Sequence, residues 1–429
     1  MADCGKSKNK GWLKAFKIGC LSIIVLFLII VFVVVGWFFY VTYDVEVHDE
    51  DLICVFTNVP VAKNGYFAIE SIFQRIADDE IDLSDFSLTN GVPSERSMAE
   101  LPAFLAQHSD ILEKFYSVAE YPRYQYPIDE DVSIFEQETG PVAGLCSLEN
   151  LSLYNIEYLI RQGREEEALN CLTSHLRVGQ MVQNDAKSLI DGIIGFGMHN
   201  QALGRLVEYL SEGVFPENRR PSLSALLVAV RDGSDWQRMA KAEYSSSKEI
   251  CASTVDTLRT NLPSITPARM VKVFYNESRT LKPMAQYYHE MLESFCDPDV
   301  QVSFPLIDPE KVSALDWFRL YASGNIAGHL VHLIIIPSIM NVNMSVLEQR
   351  SRAGLIELYL ASWKYYDEQG ELPDELNLLV PEYLSELPVD PFGKGAGFLY
   401  DPVRKEIYSA GVERSEKQDD LKISLGFAE

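Results

Sequence analysis

Residues 18–43 read IGCLSIIVLFLIIVFVVVGWFFYVTY, a run without a charged side chain between Lys17 and Asp44. A helix rises about 1.5 Å per residue, so roughly 20 apolar residues cross the ~30 Å hydrocarbon core of a bilayer. The run is long enough and apolar enough to do so. We therefore predict a transmembrane anchor over residues 18–43.

The charges that flank this run orient it. Five lysines and a single acid, Asp3, precede it, whereas residues 44–51 are rich in acids. By the positive-inside rule, the basic tail 1–17 is cytoplasmic and the long C-terminal part lies outside. Aromatic residues mark the two interfaces, with Trp12 and Phe16 on the inner side and a cluster over residues 37–43 on the outer side. A cleavable signal or a lipoprotein signal is the alternative, but no small-residue cleavage site follows the run, so we expect an uncleaved anchor.

Composition limits the function of the remaining chain. The first 43 residues carry a net charge of +4, which leaves −29 for the other 386 of the 429 residues. Such acidity disfavours nucleic acid and anionic lipid surfaces as partners, because phosphate binding needs clustered Lys and Arg. Hydrophobic residues make up 47% of the chain, as expected for a folded protein rather than a disordered one.

Five cysteines follow the anchor, at positions 54, 146, 171, 251 and 296. They form no C-x-x-C pair and no Cys/His cluster at zinc spacing. Buried free thiols are one interpretation, and one or two disulfides in an oxidising compartment are the other.

Helical patterns dominate residues 44–345, which we predict to form a helical extracytoplasmic domain. Apolar stripes run from Tyr66 to Ile76 and from Leu101 to Phe115, and further helices are predicted over 223–230, 236–258 and 267–292. Residues 52–56 are β-prone. Between 156 and 210 the apolar pattern recurs with an offset of 34, which is typical of tetratricopeptide-like hairpins. Because only two units are visible, an ordinary helical domain with a coincidental period is the alternative.

A second long uncharged stretch covers residues 320–347. It contains two histidines, three asparagines and Pro337, and polar groups in lipid need internal partners. We expect a buried core helix that ends near Pro337, with a second membrane span as the alternative.

Candidate sites are few. His329 and His332 would share one helix face, but without a third ligand a metal site stays undecided, and core or surface histidines are the simpler interpretation. The glycine-rich run 192–197 lies in a helical pattern and is not a phosphate loop. We predict no catalytic residue and no cofactor-binding residue. An enzyme would need a site assembled from scattered residues such as His289, Glu290, His329 and His332.

The last segment, residues 346–429, is predicted to be a small α+β module. An apolar stripe from Leu355 to Tyr366 indicates a helix that stops at Gly370, and Pro373 suits the start of a short helix through Leu379. Residues 398–400, 406–409 and 421–425 indicate three antiparallel strands. The fold class is therefore mainly α: an anchor helix, a helical domain and this module.

Several motifs of this module stand in one order: Gly370, Leu372-Pro373, Leu387-Pro388, Asp390-Pro391-Phe392-Gly393, Tyr400 and Tyr408-Ser409-Ala410-Gly411. Over about residues 346–425 they resemble the C-terminal module of type II secretion major pseudopilins. The whole chain also looks like uncharacterised membrane-anchored bacterial proteins that end in this module. The resemblance implies an α+β fold at this position in the chain and a role connected with secretion.

Two departures from that family limit what the resemblance implies. After Gly19 the chain reads Cys20-Leu21-Ser22-Ile23-Ile24, without the glutamate that follows a prepilin-peptidase site. It is therefore not a filament subunit. In the family a loop after the last motif resembles a calcium site, but here residues 412–420 include Arg414 and Lys417, which favours a solvated loop.

These features predict a single-pass protein of the bacterial inner membrane, with its N-terminus in the cytoplasm and its C-terminus in the periplasm. The expected function is binding or scaffolding in the envelope, without a cofactor. The expected partners are the lipid bilayer, through residues 18–43, and envelope proteins. A membrane-anchored enzyme with an unrecognised site is the alternative.

Overall fold

The computed structural model describes residues 8–78, 80–88, 93–129, 132, 141–215, 227, 236–261, 272, 275–294, 313, 322–393, 396–409 and 421–426. Side chains are described there except at 8–21, 236, 255–261, 326 and 334–343. Several predictions lie outside this part of the chain: most of the helix 223–230, the loop 412–420 and Cys296. Trp12 and Phe16 lie in a described helix, but their side chains are not described.

The described chain is mainly helical, with one small sheet. Its α-helices in chain order are α1 (Lys8–Thr42), α2 (Tyr66–Ala77), α3 (Glu95–Gln107), α4 (Ser109–Ser117), α5 (Val142–Arg161), α6 (Glu165–Asn184), α7 (Leu189–Ser211), α8 (Trp236–Asn261), α9 (Glu277–Ser294) and α10 (Ile326–Gln369). The strands are β1 (Leu399–Asp401), β2 (Glu406–Tyr408) and β3 (Lys422–Ser424). The predicted fold class is confirmed.

The chain divides into two compact units, and both are discontinuous in sequence. The first unit consists of Met1–His48, Ile250–Ala285 and Pro305–Ile334. The second unit consists of Asp49–Glu249, Gln286–Phe304 and Ile335–Glu429. Helices α8, α9 and α10 contribute residues to both. The boundary predicted at residue 345 stays a prediction.

Local signals explain where the helices of the second unit begin and end. Ser188 precedes α7, and its side chain accepts a hydrogen bond from the Asp191 N–H at 3.2 Å, which satisfies one of the free donors of the first turn. Three glutamates open α6, where the helix dipole favours negative charge. Gly163, at φ +67°, ends α5 in the left-handed conformation that glycine adopts easily.

The 34-residue period does not correspond to two equal hairpins. Its first copy is a helical hairpin, α5 and α6, which turns at Gly163. The second copy lies within one continuous helix, α7, and Gly197, which aligns with the turn glycine, is an ordinary helical residue. The alternative of a coincidental period therefore describes the chain better, since the second copy has no turn at the position where the first copy turns.

Three predicted helix boundaries were wrong. The helix predicted over 267–292 begins only at Glu277, as α9, and residues 275–276 just before it are not helical. The apolar stripe from Leu101 to Phe115 covers two helices, because His108 (φ −126°, ψ 49°) leaves helical geometry between α3 and α4. Conversely, α10 does not end near Pro337 but continues through it to Gln369. Its side chains at 334–343 are outside the described part, so the choice between a core helix and a second span stays open. Residues 52–56, predicted to be β-prone, form no strand: Leu52 ends a short 3-10 helix, and 53–56 have no regular secondary structure.

The C-terminal segment follows the sequence prediction closely. Helix α10 ends before Gly370, which has φ +76°, and only a short 3-10 helix, Leu376–Leu379, follows Pro373. Strand β2 pairs antiparallel with both β1 and β3, with Leu399 opposite Tyr408 and Ile407 opposite Ile423. Ile407 and Ile423 are fully buried in a cluster that also contains apolar side chains of α5, α6, α7 and α10. The sheet thus shares the core of the second unit.

A turn with a buried carboxylate lies at the end of the central strand, β2. The Asp390 carboxylate, fully buried, accepts hydrogen bonds from the Ser409 hydroxyl at 2.8 Å and from the Phe392 N–H at 3.0 Å. The predicted turn over residues 390–393 is therefore confirmed. Its carboxylate links the turn to the residue that follows β2, because a buried acid needs donors to replace water.

The core of the second unit encloses two neutral histidines. The His199 Nε2–H donates to the Leu176 carbonyl at 2.6 Å, so its Nδ1 accepts, and the Gln349 amide donates to it at 2.8 Å. His175 contacts the Ser152 hydroxyl through Nδ1 at 2.9 Å. Burial lowers the pKa of His199 to about 4 and, with a further contribution from nearby His199, the pKa of His175 to about 3. Both rings are uncharged at neutral pH.

Glu149 on α5 is the least satisfied acid of this core. It is 3% exposed, and its Oε1 has no hydrogen-bond partner within the described chain. Burial raises its pKa to about 8, so the folded chain keeps this carboxyl protonated at neutral pH. An unfolded chain ionises it near its ordinary pKa of about 4.3. The contribution of Glu149 to the free energy of unfolding is therefore complete below about pH 4.3 and is lost as the pH rises through 8.

We predict that Glu149→Gln stabilises the chain at alkaline pH. The amide removes the cost of keeping the carboxyl neutral, so the melting temperature should rise relative to the unmodified chain, by the equivalent of about 1–3 kcal/mol at pH 8.5, and change little at pH 4.5. Circular dichroism of the detergent-solubilised full chain measures this difference. Glu113→Gln, an exposed glutamate on α4, is the control and should show no such trend. A difference independent of pH for Glu149→Gln would contradict the assigned protonation.

Candidate functional site: the end of the apolar helix

The long apolar helix α1 has two different parts. Residues 22–42 are long and apolar enough to cross a membrane, as in an anchor or a signal sequence, and they form the one such helix found among the described residues. The large side chains from Ile23 to Val35 are 41–79% exposed. Over this part the protein itself does not cover the helix, so it needs an apolar environment.

The last turn of α1 is, in contrast, packed into the first unit. Val41 is fully buried. It faces Gly324, where a Cβ atom would lie 2.5 Å from the Val41 Cβ, and Gly324 has φ +68°. Two constraints therefore require glycine at position 324: the positive φ of its backbone and the close approach of Val41.

Polar groups hold the backbone that leaves the helix. Asn276, fully buried just before α9, donates from its side-chain amide to the Val41 and Tyr43 carbonyls at 3.2 and 3.3 Å. Its own backbone N–H donates to the Asn325 side chain at 2.9 Å. A helix end leaves carbonyl groups without intrahelical partners, and these contacts satisfy two of them. Asn276 thus connects α1 to the segment that precedes α10.

Aromatic and basic side chains surround the same point. The Trp37 indole donates to the Ala322 carbonyl at 2.7 Å. The Arg279 guanidinium lies 4.2 Å from the centre of the Tyr40 ring and donates to the Tyr43 carbonyl at 3.3 Å. Aromatic rings over residues 37–43 were predicted from their interfacial preference. Their protein partners could not be predicted, because they come from positions more than 200 residues away in the chain.

We name the set Trp37, Val41, Asn276, Arg279 and Gly324 the anchor collar. Lys272 adds an ion pair with Asp44 at 2.7 Å immediately beyond it. All of these residues belong to the first unit. The collar means that the folded first unit includes the last residues of the apolar helix as part of its own interior.

The histidines considered in the sequence lie in different environments. His289 contacts the Asp51 carboxylate through Nε2 at 2.9 Å in the second unit, and that hydrogen bond lowers the pKa of Asp51. Glu290 beside it is exposed. In the first unit, the His332 Nε2–H donates to the Thr280 carbonyl at 2.8 Å, and the His329 ring lies edge-on to it at 6.1 Å.

These positions show no metal-binding group in the part of the chain that the structure describes. Within the described ranges no group of three or more His, Cys, Asp or Glu side chains is placed to hold a metal ion. The four described cysteines, at 54, 146, 171 and 251, are free thiols. Cys251 is buried and the other three are half-buried, so the interpretation as free thiols is confirmed for these four.

No protein-family model, curated protein or solved structure matches the chain.

We predict that Asn276→Ala loosens the end of α1. The substitution leaves the Val41 and Tyr43 carbonyls without their donor, at a cost of about 1–3 kcal/mol, which corresponds to roughly tenfold or more in local opening. Hydrogen–deuterium exchange over residues 40–46 of the full chain in nanodiscs should accelerate accordingly. Lys282→Ala, an exposed position on α9, is the control and should leave exchange unchanged. If exchange in Asn276→Ala matched the control, the collar would not hold the helix end.

Proposed function

We propose that the chain is a single-pass protein of the bacterial inner membrane, with α1 as an uncleaved anchor and the chain from residue 44 onward outside the cytoplasm. The anchor collar carries this proposal. Signal-peptide cleavage after the apolar run would remove Val41, which is fully buried, and with it the partner of Gly324. A folded unit built around the end of the helix needs that end to remain attached.

Charge supports the orientation. The lysines before α1 and the acids after it follow the positive-inside rule, and the rest of the chain is strongly acidic, at −29.

The proposed role of the extracytoplasmic part is to bind or scaffold other envelope proteins. Helical domains present extended surfaces of this kind, and exposed apolar side chains are available: on α7, Ile190 and Ile193 are 47% and 44% exposed and lie three residues apart on one face. The resemblance of residues 346–425 to the pseudopilin module supports a link to secretion. The order of α10, the turn at 390–393 and strands β1–β3 is the order that this resemblance implies.

Topology tests the orientation. A reporter that is active only outside the cytoplasm should be active when fused after Asp235 and after Glu429, because we count one membrane span. The same reporter fused after Lys17 is the internal control and should be silent. Activity after Asp235 with silence after Glu429 would instead establish a second span within 320–347 and place the C-terminal module in the cytoplasm.

Cross-linking tests the scaffold role. We expect a photo-reactive amino acid at Ile190 or Ile193 to cross-link the chain to the same envelope protein in intact cells. The same group at Glu113, an exposed charged position on α4, is the matched control and should give no such product. Repeated absence of any protein adduct, together with turnover of a metabolite by the purified chain, would favour the enzyme alternative.

A further inference from the structure

Arg279 of the first unit lies beside the end of the apolar helix. The apolar span of α1, residues 22–42, rises about 31 Å, which matches the ~30 Å hydrocarbon core of a bilayer. Headgroups add roughly 5–8 Å on each side, so a bilayer placed on this span has its outer phosphate groups level with the end of α1. The Arg279 guanidinium is 4.2 Å from the centre of the Tyr40 ring in the last turn. It therefore lies at the depth of those phosphates.

The backbone of α1 holds this guanidinium in place. Its Nε–H donates to the Tyr43 carbonyl at 3.3 Å, and its Nη2 donates to the Tyr40 carbonyl at 2.5 Å. A guanidinium has five N–H groups, so these two bonds leave three without a partner in the described part of the chain. Because the group is fixed before any ligand arrives, binding costs little conformational entropy.

The charge of Arg279 is not neutralised within the described chain. No described carboxylate forms an ion pair with it. Asp44, the first acid after the helix, is instead bound by the Lys272 ammonium at 2.7 Å. Glu277, two residues before Arg279 on α9, lies about 200° around the helix axis from it. The half-buried guanidinium therefore attracts an anion through its open side.

Exposed apolar and aromatic side chains surround the same position. Phe39, Tyr40 and Tyr43 are 61%, 60% and 71% exposed, and the aliphatic side chains of α1 up to Val35 are exposed as well. A ligand that covers both parts needs an anionic group at the guanidinium and a long apolar body along the helix. Arginine suits a phosphate as the anionic group, because its planar fork donates parallel N–H bonds to two phosphate oxygens. A phospholipid combines the two features.

The acidity of the chain does not oppose this contact. A net charge of −29 after the anchor disfavours attraction to an anionic surface as a whole. Repulsion between separated, exposed charges is screened over about 8 Å at physiological ionic strength. A phosphate that accepts hydrogen bonds directly from a guanidinium is held by contact, and a partly buried pair of this kind is screened much less.

We propose that Arg279 and the exposed end of α1 bind one phospholipid of the outer leaflet. The phosphate accepts from the remaining N–H groups of the guanidinium, and the acyl chains lie along the aliphatic side chains of α1. The inference rests on the membrane anchor proposed above and adds a ligand class to it: a diacyl lipid that is recognised by its phosphate.

Native mass spectrometry of the full chain, purified in detergent and stripped of lipid, tests the proposal. We expect dioleoylphosphatidylglycerol to bind saturably, with one lipid per chain. Dioleoylglycerol has the same acyl chains but no phosphate, so its affinity should be lower by roughly tenfold or more. Glycerol 3-phosphate has the phosphate without the chains and should not displace the lipid at millimolar concentration. Absence of a saturable adduct, equal binding of dioleoylglycerol, or displacement by glycerol 3-phosphate would overturn the proposal.

The variant Arg279→Gln locates the site. The amide removes the positive charge but can still donate to a carbonyl of α1, so affinity for dioleoylphosphatidylglycerol should fall roughly tenfold while affinity for dioleoylglycerol stays unchanged. The matched control is Arg96→Gln, at an arginine on α3 of the second unit whose side chain is 81% exposed, which should bind both lipids as the unmodified chain does. An equal loss for both lipids, or unchanged affinity of folded Arg279→Gln for the phospholipid, would overturn the assignment to Arg279.

Circular dichroism checks that the variants are folded. If Arg279→Gln does not fold, the comparison of the three ligands on the unmodified chain decides. The intact mass from the same spectra separates this proposal from the anchor itself. A mass that shows removal of the residues before Asp44 would overturn both, whereas an intact chain without preference for the phosphate would overturn the lipid site alone.

Discussion

An apolar helix that the protein leaves uncovered is the constraint on which the rest of the structure depends. From Ile23 to Val35 every large side chain of α1 is substantially exposed. Leaving such a side chain in water rather than burying it forgoes about 1.5–3 kcal/mol, so thirteen consecutive positions need an apolar solvent. The helix can hold all of its interior backbone hydrogen bonds within itself, which is the condition for residing in lipid.

The junction between that helix and the folded chain has the opposite requirement. Where the helix ends, its carbonyl groups need donors, and the chain supplies them from Asn276 and Arg279. Val41 is packed against Gly324 at a distance that only glycine allows. The last turn of the apolar helix is therefore part of the interior of the first unit, and the helix is not only a tether.

The interior of the second unit contains several buried polar groups, and they differ in whether they have hydrogen-bond partners. His199 has a partner for each ring nitrogen, and the Asp390 carboxylate accepts from the Ser409 hydroxyl and a backbone N–H, so both can be buried at moderate cost. Glu149 differs from them, because burial alone keeps its carboxyl neutral and its Oε1 has no partner in the described part of the chain.

The sequence alone determined the features that depend on neighbouring residues. The apolar length of α1, the helix ended by Gly370 and the three short strands could be predicted, because hydrophobic periodicity, glycine and turn residues act within a few positions. Tertiary structure decided the rest. The break at His108, the continuation of α10 through Pro337 and the single helix across the apparent repeat contradict local signals, because local propensities of about 1–3 kcal/mol are small beside the energies of the whole fold. The anchor collar joins side chains that are tens to hundreds of residues apart, and no local pattern specifies which of them meet.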